Sequence, residues 1–271
     1  MTANATTTET ATTDVHRALE CVTEQRESVA DRIDAFESFA ARVRELPAGP
    51  SATTAGPVAQ ATPTVMTSRA AGTGPTTPDS CAIVRQTFLE TIVPHTTVEI
   101  DGEESVVRAL AAEFSRDIAV ALTTNATWTA ELKTAVIEAA TTRRFEAERL
   151  QEALEAEAER LETLVADLDP IVAWLRSTAA ESLQQYGFDE LQAKHDRLEE
   201  FCEQLETGIE ERQERLQEPV REAGDVPYRT LVESVYASFD ARYPVLATLT
   251  RLCRICRECQ RTVRDHLVRR A

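Results

Sequence analysis

The sequence predicts an all-α protein, a bundle of long amphipathic helices of the kind found in coiled coils. Alanine, glutamate and arginine dominate its 271 residues, whereas aromatic residues make up 5% and glycines number 8. Such a composition is typical of long helices and not of sheets. Apolar residues also recur at spacings of three and four over several long segments, which is the helical period. Together, the composition and the spacing predict four long and about three short helices.

The N-terminal part of the chain predicts a tail, one helix and a linker. Residues 1–13 are rich in threonine and carry little apolar surface, so a disordered tail is expected. Residues 14–46 predict an amphipathic helix that begins at the candidate cap Asp14 and is stopped by Pro47. Its expected packing face consists of Val15, Ala18, Val22, Val29, Ile33, Phe36, Ala40 and Val43.

Residues 47–80 hold six of the eleven prolines and four of the eight glycines. This composition predicts a disordered Thr/Pro/Gly linker. A linker of that length allows the 14–46 helix to dock on the rest of the chain or on another copy. We expect residues 81–271 to form one helical bundle domain, on which the 14–46 helix docks.

Inside that domain, local signals predict where helices begin. A short helix closed by Pro94 is followed by a capping box formed by Asp101 and Glu104. Trp128 is expected to pack as an apolar anchor. A long acidic helix is predicted from Thr129 to Asp169, with a kink or restart at Pro170. Its apolar seam is Leu132, Val136, Ala139, Leu150, Leu154, Leu161, Leu164 and Leu168.

The last two long helices are predicted over about 190–217, after a cap at Asp189, and from Pro244 onward. The seam of the first is Leu191, His195, Leu198, Cys202, Leu205, Ile209, Arg212 and Leu216. The seam of the second is Leu246, Leu249, Cys253, Cys256, Gln260, Val263 and Leu267.

The most specific chemical motif is Cys253-x-x-Cys256-x-x-Cys259, because thiolates at this spacing can hold zinc or an iron–sulfur cluster. An intact helix argues against such a site, since residues six apart rise about 9 Å along it. A site across helices from Cys202, Cys253, Cys256 and His195 is an alternative. Cys253 and Cys256 also occupy seam positions, where a small apolar side chain packs well. We therefore expect core packing, and we assign no metal ligand and no cofactor.

A second feature is a basic C-terminal helix. Residues 251–271 carry seven arginines against Glu258 and Asp265. Five of them form a stripe at helical spacing, which we call the arginine stripe: Arg251, Arg254, Arg257, Arg261 and Arg264. We expect the stripe to pair with the acidic face of the 190–217 helix, at Glu199, Glu203, Glu206, Glu210 and Glu214. Contact with nucleic acid is the alternative, against which the overall charge of −17 argues.

No signature of catalysis is present in the sequence. His16, His95, His195 and His266 are scattered, and neither a Walker loop, a GxSxG motif nor a GxGxxG motif occurs. We expect no enzymatic activity and no catalytic residues. No apolar run of membrane-spanning length occurs either, so a cytoplasmic protein with reduced cysteines is expected.

Only Lys133 and Lys194 among the 29 basic residues are lysine, which resembles the usage of extreme halophiles. Together with the linker, the segments VRQTFLETIVPHT, YPVLATLTRL and CQRTVRDHLVRR resemble a haloarchaeal helical domain family of unknown function. The resemblance implies an all-helical fold and a halophilic source, and it carries over no functional residue. The leading hypothesis is a non-enzymatic scaffold that acts through protein contacts, with a homodimer as one form of such contact. The alternatives are a metal or redox sensor using the cysteines and a regulator that contacts nucleic acid.

Overall fold

The computed structural model describes residues 2–49, 79–96, 100–124, 127–218 and 226–270, with side chains from Asp14 onward. Over these residues it contains eight α-helices and no strand, which confirms the all-α class. The helices are α1 (Thr2–Glu45), α2 (Ser80–Thr91), α3 (Glu103–Glu113), α4 (Arg116–Thr123), α5 (Ala130–Ala179), α6 (Phe188–Gln217), α7 (Tyr228–Val235) and α8 (Pro244–Val268). None of these helices combines the length and the apolar character needed to cross a membrane.

The structure describes only parts of the predicted tail and of the predicted linker. The bounds of α1 include residues 2–13, whose side chains are not described, and the predicted disorder of residues 1–13 stays a prediction. Within the linker, residues 50–78 lie outside the described residues. Its two ends are held: the Gly49 N–H donates to the Trp128 carbonyl at 3.0 Å, and Asp79 caps α2 by accepting from the Cys81 N–H at 3.1 Å.

The chain divides into two compact units, Ser28–Glu148 and Met1–Glu27 with Arg149–Ala271. The divisions fall inside α1 and inside α5. This grouping differs from the expected boundary at residue 81, which stays a prediction. Below, the first is called the 28–148 unit and the second the C-terminal unit.

The 28–148 unit is built around three packed phenylalanine rings. The Phe39 ring stacks on Phe114 at 5.4 Å and meets the edge of Phe88 at 6.3 Å between centroids. Trp128 is buried in the same core, as predicted. Basic side chains satisfy the carbonyls at helix ends, where the helix dipole favours a cation. Lys133 donates to two carbonyls at the end of α1, and Arg143 donates to two at the end of α3.

In the C-terminal unit, α6 and α8 pack as an antiparallel pair. Arg257 contacts Glu206 near the middle of the pair, whereas Arg270 beyond the end of α8 reaches Gln184 before the start of α6. Residues of α1 pack within this unit as well. The Cys21 thiol donates to the Val235 carbonyl at 3.4 Å. The 14–46 helix therefore makes contacts within its own chain.

Two predicted helix caps are wrong, and one of two alternatives at Pro170 is excluded. A kink there stays a prediction, but the helix does not restart at Pro170, because α5 continues through this residue. Its neighbours Leu168 and Ile171 are almost fully buried, and we attribute the tolerance of a missing hydrogen-bond donor to this packing.

The two errors concern caps. Gly102 caps α3 with φ of 89°, a left-handed conformation that favours glycine. The reciprocal side chain is Ser105, whose hydroxyl accepts from the Asp101 N–H at 2.8 Å, and not Glu104. At α6 the cap is Gly187, two residues before the predicted Asp189, and its N–H donates to the Glu190 carboxylate. Neither glycine cap is evident from the sequence, because glycine has no side chain that could mark it as a cap. The side chain that accepts the hydrogen bond lies three residues farther along the chain.

Candidate interaction surface and buried polar network

The structure places the cysteines of the sequence motif in the α6–α8 contact. Cys202, Cys253 and Cys256 are buried, and Cys259 is half-buried. Cys202 lies close enough to Cys253 and Cys256 for their charges to interact if ionised. Among the described residues His195 belongs to no ligand group with these cysteines; its Nδ1 lies 3.6 Å from Asp196 Oδ1. All six cysteines are free thiols.

The cysteine cluster has no common centre for a metal in the residues described. The single group whose three ligand atoms all lie within 4.8 Å of one another there is His195, Asp196 and Glu199. Both carboxylates of that group are exposed, as acidic residues on helix surfaces commonly are.

Burial raises the pKa of these thiols. The pKa of Cys202 rises to about 11, mainly because the thiolate would be desolvated and secondarily because Cys253 lies nearby. Burial also raises the pKa of Cys253, Cys256 and Cys259. At neutral pH the cluster is therefore protonated and poorly nucleophilic.

We expect iodoacetamide at pH 8 to alkylate Cys202, Cys253 and Cys256 at least about tenfold more slowly in the folded protein than in denaturant. The reason is twofold, since burial blocks access and a raised pKa removes thiolate. Mass spectrometry of peptides after timed alkylation measures each rate. The unfolded chain, with six reactive thiols, is the internal reference. Equal rates in the two states would contradict the burial described above.

The arginine stripe pairs with α6 at one position. Arg257 Nη2 lies 2.6 Å from Glu206 Oε1, as the expected pairing requires. In the portion of the chain that is described, Arg254, Arg261 and Arg264 are exposed and form no ion pair. The same holds for the α6 carboxylates Glu199, Glu203, Glu210 and Glu214. The predicted pairing is thus correct for Arg257 only.

A groove of about 560 Å³ separates the two charged stripes. We call it the α6–α8 groove. Its lining includes Arg254 and Arg261 of α8, Glu210 of α6, and the less polar side chains of Ile209 and Cys253. Both signs of charge therefore border one partly apolar depression.

A buried polar network, absent from the predicted sites, joins α5, α6 and α7. The Glu157 carboxylate is 1% exposed and accepts from Arg212 at 2.6 and 3.3 Å. It also accepts from the hydroxyls of Tyr228 at 2.8 Å and Tyr236 at 2.7 Å. We call these four residues the Glu157 network.

The electrostatics of the Glu157 network are those of a closed ion pair. Burial is the largest single influence on the pKa of Arg212 and lowers it. The charge of Glu157, the neighbouring Tyr228 and Tyr236 and the hydrogen bond to Glu157 together outweigh burial, so the pKa is raised overall. Burial raises the pKa of Tyr228 and Tyr236, so both hydroxyls stay protonated and donate. Two-pronged contact of a guanidinium with a carboxylate is a strong and directional arrangement. The network therefore fixes the register of three helices.

These observations define an all-α protein. It has a charged face on two antiparallel helices and a buried ion pair whose carboxylate has all its hydrogen-bond partners. The sequence profile of one family, described as a domain of unknown function (DUF7260), matches residues 13–260. The chain belongs to this family. Neither a curated protein nor a solved structure matches it. The predicted resemblance to a domain family of unknown function is confirmed, and its haloarchaeal origin stays a prediction.

Proposed function

We propose that this protein is a non-catalytic helical interaction protein that pairs with a second copy of itself through the α6–α8 groove. One observation carries the proposal. Two stripes of opposite charge lie side by side on antiparallel helices, and within the described ranges most of their members have no partner in the chain. Such a face is complementary to itself.

Twofold symmetry explains why a second copy of the chain fits the α6–α8 groove. In a twofold dimer the same patch is used by both subunits. A twofold axis that runs along the groove, parallel to α6 and α8, places α8 of one copy over α6 of the other. Arg254 and Arg261 of each copy then face Glu203 and Glu210 of the other. The side chain of Ile209, which is half-buried in the single chain, then becomes covered between the copies, whereas Cys253 is already buried. Charges at the rim set the orientation, as in paired coiled-coil helices.

The charge of the whole chain indicates the conditions under which such a dimer forms. Two molecules that each carry −17 repel one another in dilute buffer. At molar salt the screening length is about 3 Å, so long-range repulsion is suppressed while contacts at hydrogen-bond distance persist in part. A high-salt cytoplasm is the environment we propose. Six free thiols and the near absence of lysine support it.

We expect the double variant Arg254→Glu/Arg261→Glu to weaken dimerisation at least about tenfold, because both copies then present acidic faces. The measurement is molar mass by light scattering over a concentration series in 2 M potassium chloride. The control is Arg108→Glu/Arg176→Glu, which makes the same charge change at two exposed arginines outside the groove.

A complementary variant makes the test specific. Glu203→Arg/Glu210→Arg is expected to be monomeric by itself, because both faces become basic. Mixed in equal amounts, the two double variants are expected to form a 1:1 heterodimer. A monomeric wild-type protein at all concentrations would overturn the proposal, as would a dimer that neither variant weakens.

A further inference from the structure

A cavity of about 510 Å³ lies between α5 and α6, apart from the α6–α8 groove. It combines apolar surface with basic side chains. The apolar lining comes from Leu164, Leu168, Ile171, Leu205 and Leu249. The basic lining comes from Arg160, Arg212 and Arg215. We call it the arginine cavity.

The three arginines differ in how well they are neutralised. Arg212 is saturated by Glu157 within the buried network. Arg160 lies 3.9 Å from Glu157 Oε2, an oxygen that already accepts from Arg212 and Tyr228. Arg215 forms no ion pair within the described part of the chain. Arg215 is therefore left without a close carboxylate in the described residues, and Arg160 has only a long contact with an oxygen that is already shared.

These two guanidinium groups repel each other. Burial lowers the pKa of Arg160, and the positive charge of Arg215 lowers it further. Two like charges beside an apolar wall are unfavourable unless an anion lies between them. Asp167 and Glu211 also line the cavity, but both are exposed and neither lies within 4.0 Å of any guanidinium among the described residues. They do not supply that anion.

We infer that the arginine cavity binds a small organic anion that carries an oxyanion head on an apolar body. Guanidinium groups donate paired hydrogen bonds to carboxylate and phosphate oxygens. Half-buried Leu164 and the aliphatic stems of the arginines offer a surface for an alkyl or ring portion. The floor beneath them is formed by the almost fully buried Leu168, Ile171, Leu205 and Leu249. The volume falls in the range of about 300–1,000 Å³ that small-molecule sites occupy. A free inorganic ion would use the head contacts and leave the apolar wall uncovered.

The test uses the full chain and octanoate as the probe, with binding followed by isothermal titration calorimetry at constant ionic strength. Octyl phosphate tests the other oxyanion head. Octanol has the same alkyl chain without the charge, and inorganic phosphate has a charge without the chain. We expect one octanoate or octyl phosphate per chain, bound at least about tenfold more tightly than octanol and than inorganic phosphate.

Variants link the binding to the cavity. Arg160→Gln and Arg215→Gln are each expected to weaken the octanoate or octyl phosphate complex about tenfold, because each removes a charged donor. Glu211→Gln is expected to strengthen it, because a repelling carboxylate is removed. Arg176→Gln, an exposed arginine on the same helix as Arg160, is the unchanged control. Circular dichroism verifies that each variant is folded.

Three results would overturn the inference. The first is that neither amphiphile binds the wild-type chain. The second is that octanol binds as tightly as the charged probes, which indicates an apolar surface only. The third is an affinity that Arg160→Gln and Arg215→Gln both leave unchanged.

Discussion

Replacement of Glu157 by glutamine is expected to lower the free energy of unfolding by about 3–5 kcal/mol, since it leaves a buried guanidinium without its counter-charge. The side chain of Arg212 is only 9% exposed, so water cannot take over the lost interaction. Tyr228 and Tyr236 lose a charged acceptor at the same time. The measurement is urea unfolding followed by the fluorescence of Trp174, in a Trp128→Phe background, because these are the two tryptophans of the chain.

Glu233 is the matched control for this prediction. Its carboxylate also accepts from two arginines, Arg229 and Arg242, and from Tyr243, but its side chain is 32% exposed. Glu233→Gln is therefore expected to shift the urea midpoint far less than Glu157→Gln. Equal shifts in the two variants would contradict the role that we assign to burial.

The pH dependence of the control has a definite sign. Hydrogen bonds from Arg229, and then from Arg242 and Tyr243, lower the pKa of Glu233 to about 2 from its usual 4.5. A lowered pKa means that the stabilising contribution is present above pH 4.5 and is lost as the pH falls toward 2. The difference between wild type and Glu233→Gln is expected to shrink over that interval.

A double variant distinguishes the net contribution of the Glu157–Arg212 ion pair to stability from the destabilisation caused by removing only one partner. Glu157→Gln/Arg212→Met removes the buried positive charge together with its partner. We expect it to be more stable than Glu157→Gln alone, because an apolar side chain in place of an unpaired charge removes the desolvation penalty. A double variant whose loss equals the sum of the two single losses would show that the residues act independently.

The sequence contains a hint of the Glu157 network, namely two opposite charges at or near core positions of α5 and α6. Apolar periodicity alone does not predict that they pair. Arg212 lies on the predicted seam of α6, and Glu157 lies three residues after Leu154 and four before Leu161 on the seam of α5. Opposite charges at core positions of two helices are compatible with a buried ion pair. The tyrosines could not be included, because they belong to α7 and the turn after it, whose placement depends on tertiary packing.

The helices could be predicted from the sequence more completely than the contacts between them. Seven of the eight residues in the expected packing face of α1 are buried, with Ile33 half-buried. Apolar spacing determines which face a helix buries, and so these residues could be listed in advance. The arginine stripe is different, since the expected pairing depends on the rotation of α8 against α6. That rotation brings Arg257 to Glu206 and leaves the neighbouring arginines exposed.

Truncation of Phe39 to alanine is expected to destabilise the 28–148 unit by about 3–5 kcal/mol, the usual range for removing a fully buried ring. Phe39 is 0% exposed and contacts both Phe88 and Phe114. Its removal therefore leaves a cavity and also breaks two ring–ring contacts. The expected result is a large decrease in the urea midpoint reported by Trp128, in a Trp174→Phe background, because Trp128 lies in the same core.

Phe145 provides the matched control, because it is a phenylalanine of the same unit with 55% exposure. Phe145→Ala is expected to change the unfolding free energy by less than about 0.5 kcal/mol. A comparison with Glu157→Gln then tests how the two compact units unfold. If each core variant moves mainly the tryptophan of its own unit, the units unfold separately. If both tryptophans move together in both variants, α1 and α5, which belong to both units, couple them into one cooperative transition.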